Sequence, residues 1–204
     1  WIVYVDAVTG RVRSAWDNLA SAAGRARVFD PNPVVAVPGW DPLGPGGRPR
    51  RPPAAAYREV ALAGLAPGGR LDGARVTTAP TRGRVRRRDG RFLFESTERG
   101  FDEAMVYFHV DRAIRYLESL AHPGPRPIFR EPLPVPAHGT REDNSWYSPA
   151  ERSLTFGTGG VDDAEDAETI LHELGHAIQD AICPDFGQSA QAAAMGEGFG
   201  DYFA

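Results

Sequence analysis

The sequence predicts an α+β protein in which a β-rich segment of about 95 residues precedes a part built around helices. Three observations carry that prediction. Up to about residue 95, short Val-rich runs are separated by Pro and Gly, the punctuation of strands and turns. From Phe101 the apolar residues take helical spacing. Polar pairs four apart then recur at His172/His176 and Glu197/Asp201, so each pair shares one face of a helix. With 204 residues and 42% hydrophobic content, the chain can bury a core as one large domain or two small ones.

The first element, Trp1-Ile2-Val3-Tyr4-Val5-Asp6-Ala7-Val8-Thr9-Gly10-Arg11-Val12, reads as strand, turn and strand already in progress. Beginning at Trp1 without Met, it is expected to be cut from a longer precursor. Strands are expected at Val34-Val35-Ala36-Val37 and Arg58-Glu59-Val60-Ala61-Leu62. The Pro- and Gly-rich stretch from Pro42 to Pro53 cannot hold a helix and is expected to be an exposed loop. Arg82, Arg84, Arg86, Arg87, Arg88 and Arg91 form the one basic cluster. It turns at Asp89-Gly90 and has no aromatic interleaving before Phe92 and Phe94, so a solvated hairpin is expected rather than a polyanion surface.

Asp102 and Glu103 favour a helix start, and Met105, Phe108, Val110, Ile114, Leu117 and Leu120 continue its periodicity up to Pro123-Gly124-Pro125. His109, His122 and His138 are expected to be ordinary packed or surface histidines. Edge-type strands follow over 126–160. In Val161-Asp162-Asp163-Ala164-Glu165-Asp166-Ala167-Glu168, Asp162 or Asp163 is expected to cap the next helix while the other acids complement its dipole. Calcium binding, with further ligands from elsewhere, is the competing reading. Ile170, Leu171, Leu174, Ala177, Ile178, Ala181 and Ile182 would supply that helix's buried sides, and Gly175 would admit another backbone or a substrate.

His172-Glu173-Leu174-Gly175-His176 stacks two imidazoles on one helical face, where they can grip one zinc ion, with Glu173 beside it as a general base. A catalytic zinc needs a third protein ligand and an open position for water. Downstream candidates are Asp180, Cys183, Asp185, Glu197 and Asp201. A single Cys rules out a thiolate cluster, and Cys183 is expected to be a small buried hydrophobe. Gln179 and Ile182 exclude the extended HExxHxxGxxH pattern. Asp180 is expected as a solvated position near the helix end. Glu197, 21 residues after His176, can return on a second helix once a loop at Cys183-Pro184-Asp185-Phe186-Gly187 reverses the chain. Asp201 can then accept the free ring N–H of a ligating histidine. An ordinary acidic helix face is the plainer alternative.

HExxH followed by Gly196-Glu197 and Asp201 resembles the gluzincins, the thermolysin-like metallopeptidases, and in particular their fungalysin-type branch. The resemblance implies His172, His176 and Glu197 as zinc ligands, Glu173 as base and proton shuttle, and Asp201 as the group orienting His172. Asp143-Asn144-Ser145-Trp146-Tyr147-Ser148, with Leu154-Thr155-Phe156-Gly157-Thr158-Gly159-Gly160, resembles the edge strand and turn with which such enzymes hold a peptide. Asn144 and Ser145 would then bind substrate, Ser145 standing where the family commonly has Ala. The opening hairpin is similar to the end of the propeptide domain preceding these enzymes. The implied organisation is a propeptide remnant over 1–20, a β-rich segment over 21–95, and over 96–204 the N-terminal half of a zincin catalytic domain. The resemblance also implies secretion and a helical C-terminal half downstream that completes the cleft; related enzymes bind calcium near this helix, which is what keeps calcium as the competing reading of the acidic run. Without that half, the 204 residues are expected to be a poor catalyst.

A formal net charge of −4 argues against a binder driven by nucleic-acid phosphates, and no apolar run approaches the roughly 18 residues of a membrane span. No signal peptide is present in these residues. The expected partner is a peptide or protein substrate, cut as an endopeptidase would. A zinc aminopeptidase is the nearest alternative, although no stretch resembles a Gly-x-Met-Glu-Asn amine-capturing site. A non-catalytic zinc module that binds peptides is a second, and a β-rich interaction domain over 1–95 a third. Glu173 argues for catalysis, because a purely structural site has no need of an acid that ligates nothing.

Overall fold

The computed structural model describes residues 2–5, 8–16, 22–44, 50–120, 127–184 and 186–204. His122, Pro123-Gly124-Pro125, Asp185 and the middle of the Pro42–Pro53 loop lie outside them. The architecture is mixed α+β. Strands β1 (Ile2–Val5) and β2 (Val12–Trp16) pair antiparallel, and Gly10 between them takes a φ of 67°. Strand β3 (Ala22–Phe29) is central in a three-stranded sheet, antiparallel to β4 (Tyr57–Leu65) and parallel to β6 (Arg91–Phe92). Ala26 and Val28 of β3 are buried while Arg25 is exposed, the alternation of a half-buried strand.

Two expectations for this part fail. Val34-Val35-Ala36 belongs to a short helix, α1 (Pro33–Ala36), because the Asn32 side chain accepts the Val35 N–H at 2.9 Å and Pro33 presets the first helical φ. Local capping outweighs the strand preference of three valines. The basic cluster is not a hairpin either: beyond Gly90 the chain enters β6, which pairs with β3. Arg84 turns inward, 13% exposed, to Asp72 at 2.5 Å and Glu103 at 3.7 Å, while Arg86, Arg87 and Arg88 stay in solvent.

Helix α2 (Gly100–Leu120) is the spine. Its first half is buried all round, between β3 and the later helix α3 (Ala167–Ile182). Phe101 packs on Phe29 and Tyr57 with ring centroids 4.7 and 5.7 Å away. Burial forces α2's polar groups to find partners, since an unpaired one costs about 1–3 kcal/mol. Glu103 accepts from Thr78 Oγ1 at 2.6 Å and the Val85 N–H at 2.9 Å. Asp111 holds Arg115 at 2.8 Å, and Glu118 holds Arg75 at 2.7 Å. His109 is a packed core histidine, with Nε2 2.8 Å from the Phe29 carbonyl and Arg112 donating to Nδ1 at 3.2 Å. Asp102 alone keeps an oxygen, Oδ1, with no hydrogen-bond partner among the described residues.

Strands β5 (Val76–Thr77) and β7 (Leu133–Pro134) pair parallel, and β8 (Trp146–Ser148) pairs antiparallel with β9 (Ser153–Thr155). Helix α4 (Ala190–Phe203) packs along α3. No helix among the described residues is long and apolar enough to cross a membrane.

Candidate metal centre

Helix α3 begins one turn later than the acidic run suggests. Asp162 caps a separate 3₁₀ turn over Asp163–Glu165, and Asp166 caps α3 by accepting the Glu168 N–H at 2.9 Å. The intervening turn lets one acidic run cap twice. Ile170, Leu174, Ala177 and Ile178 anchor α3 in the core, whereas Ala181 and Ile182, expected inside, are exposed beyond the sheet that covers the earlier turns. Cys183, expected to be buried, is exposed, and its N–H closes the helix onto Gln179. Asp180 is not free in solvent: it accepts the Tyr147 hydroxyl at 2.8 Å, tying the helix to β8.

Ser189 caps α4 by accepting the Ala192 N–H. Three glycines then let α4 approach α3. A Cβ on Gly175 would lie 3.1 Å from Gly200 Cα, one on Gly200 would lie 2.8 Å from His172 Nδ1, and one on Gly196 would lie 3.0 Å from Gln179 Oε1. Gly175 therefore admits a backbone, and Gly200 is the floor on which the His172 ring rests.

That approach brings the four expected metal-site side chains together. His172 Nε2 and His176 Nε2 are 3.2 Å apart, and Glu197 Oε2 lies 3.2 and 3.6 Å from them. These separations match the roughly 3.4 Å edges of a tetrahedron whose metal–ligand bonds are about 2.1 Å, as for zinc. Asp201 Oδ1 is 2.9 Å from His172 Nδ1, on the side of the ring away from the converging atoms. It holds the tautomer that leaves Nε2 free to ligate. Burial keeps His176 below the ordinary imidazole range despite Glu197, favouring the neutral form that binds metal. Both imidazoles are about 20% exposed, but Glu197 and Asp201 are 65% and 78% exposed, so the cluster opens to solvent on its α4 side.

Glu173 is buried and outside the converging set. Burial pushes its carboxyl up, opposed by His172, reinforced by Glu197 and opposed again by a hydrogen bond from the Tyr147 backbone. Among the described residues β8 pairs only with β9, and the hydrogen bond from the Tyr147 backbone sets β8 beside the candidate base. Asn144, just before β8, is exposed. Ser145 is already engaged: its hydroxyl donates to Asp163 at 2.6 Å and accepts the Gly157 N–H at 3.2 Å. It pins the strand to the turn before α3.

The role of Gly196 and Gly200 escaped the sequence reading, although two glycines four apart in a helix, each costing about 1 kcal/mol against Ala, are a sign of close approach. His138, expected to be unremarkable, lies against Asp102 and Asp162. Set against models of known protein families and against curated proteins, the chain finds no match in either.

Proposed function

We propose that this chain forms the metal-binding part of a secreted zinc metallopeptidase of the gluzincin type, acting as an endopeptidase. What carries the reading is the convergence of His172, His176 and Glu197 at tetrahedral spacing while Glu173, adjacent in sequence, stays clear of the ligand atoms. Zinc bound there would polarise a peptide carbonyl and acidify water. The Glu173 carboxylate takes a proton from the attacking water and delivers it to the leaving nitrogen. Asp201 orients His172, and the Asn144–Ser148 segment aligns an extended peptide across Glu173 by backbone hydrogen bonds.

The test is zinc stoichiometry together with hydrolysis of an unfolded protein substrate by the full-length enzyme. Chelation should abolish hydrolysis and zinc should restore it. Undiminished hydrolysis after complete zinc removal would overturn the reading.

A further inference from the structure

Asp102 is the exception among the buried acids of α2. Glu103, Asp111 and Glu118 are satisfied by arginines, a hydroxyl and backbone amides, yet Asp102 is 5% exposed and its Oδ1 has no partner. Its other oxygen lies 3.4 Å from His138 Nε2. Asp162 Oδ2 lies 3.8 Å from Nδ1 of the same ring. One ligand atom each from Asp102, His138 and Asp162 falls within a single 4.8 Å span. The Arg99 carbonyl also lies 3.4 Å from His138 Nε2.

The charge does not balance. Asp102 and Asp162 are joined by Glu165, whose field reaches Asp102, and among the described residues no arginine pairs with any of the three. One imidazole lies against two carboxyls, with Glu165 a third acid near them. Burial penalises carboxylates that lack a cationic partner, and a bound cation would supply one.

We propose that Asp102, His138 and Asp162 form a second divalent-cation site, separate from the His172 cluster and structural in role. Two carboxylates and an imidazole are a donor set for a first-row ion such as Zn²⁺ or Mn²⁺; calcium wants six to eight oxygens. Access exists from both sides. His138 lines a cleft of about 990 Å³ with Arg82, Arg99 and Arg141, and Asp162 and Glu165 line another of about 670 Å³ with Trp40 and Arg50. The ion joins the first turn of α2, the 135–140 segment and the turn that leads into α3, so it fixes where the His172 helix starts.

The proposal does not depend on peptidase activity, and its test uses none. Titrate the chelated protein and its His172→Ala variant with Zn²⁺, Mn²⁺ and Ca²⁺ separately, measuring bound metal and Tm. In His172→Ala one equivalent of Zn²⁺ or Mn²⁺ should still bind, raising Tm by about 5–10 °C at metal on the order of a hundred times Kd. Adding Asp102→Asn or His138→Gln should abolish both effects. Asp102→Asn keeps the side chain's shape and removes an acid that burial disfavours, so the metal-free variant should melt no lower than its parent, which separates loss of the site from loss of the fold. Equal binding and equal Tm rise with and without Asp102→Asn would overturn the site. A rise from Ca²⁺ with none from Zn²⁺ or Mn²⁺ would overturn the assigned class of cation.

Discussion

The His172–Glu197 cluster and the Asp102–His138 cluster use the same donors, carboxylates and imidazoles, in opposite surroundings. The first lies between two helices, its acids in solvent and its distances already at tetrahedral spacing. The second sits at the buried start of α2, looser, with one oxygen unpartnered. An open site with set geometry suits turnover, because substrate and water must reach it. A site whose acids are more buried and lack cationic partners suits retention of an ion that joins chain segments.

The largest effect expected from breaking the first cluster is on chemistry. In the full-length enzyme, Glu173→Gln should lower hydrolysis by on the order of 10²–10⁴-fold while zinc content stays the same, since only the base is lost. Retention of most of kcat would show that the base is another group. His172→Ala should lose activity together with the zinc of this cluster.

Next comes the floor of the open cluster. Gly200→Leu places carbon where a Cβ alone already lies 2.8 Å from the His172 ring, so α4 must move away and carry Glu197 with it. Zinc affinity measured by competition with a chelator should fall by at least as much as in Asp201→Ala, for which about 10–100-fold is expected. Unchanged affinity in Gly200→Leu would mean that helix contact does not position the ligands.

His109 sharpens the contrast as a buried group with every partner present. Burial lowers its pKa to about 4, with Arg112 acting the same way and the Phe29 carbonyl and Asp30 opposing. Below about pH 6.5 the unfolded chain takes up a proton that the folded protein refuses until about pH 4. Its contribution to stability is therefore complete above pH 6.5 and lost as pH falls towards 4. In chelated protein, His109→Gln should flatten the Tm–pH curve over that interval; an unchanged slope would assign it to other groups, the Asp30–Arg112 pair first.

The smallest effect concerns the tie between α3 and β8. Tyr147→Phe removes one hydrogen bond to Asp180 and should cost about 1 kcal/mol, seen as a Tm lower by a few degrees. A much larger loss of activity than of stability would mean that this hydroxyl also acts in the cleft.

The residues of the open cluster were legible because helical spacing is a local rule: i, i+4 pairs share a face whatever surrounds them, so His172, His176, Glu197 and Asp201 could be picked from the chain alone. Helix α2 was legible for the same reason, through its apolar period and acidic start. Where two local signals competed, as at Asn32-Pro33-Val34-Val35, capping won over strand preference. The Asp102 cluster has no such period. Its members lie 36 and 24 residues apart on three elements, and only packing α2 against the turn before α3 brings them together. The same holds for Arg84 turning inward, for Asp180 meeting Tyr147, and for Gly200 beneath His172. Sequence by itself determined which residues share a helix face; tertiary structure decided which faces meet, because burial energy and steric fit between distant segments depend on the whole core rather than on any stretch of the chain.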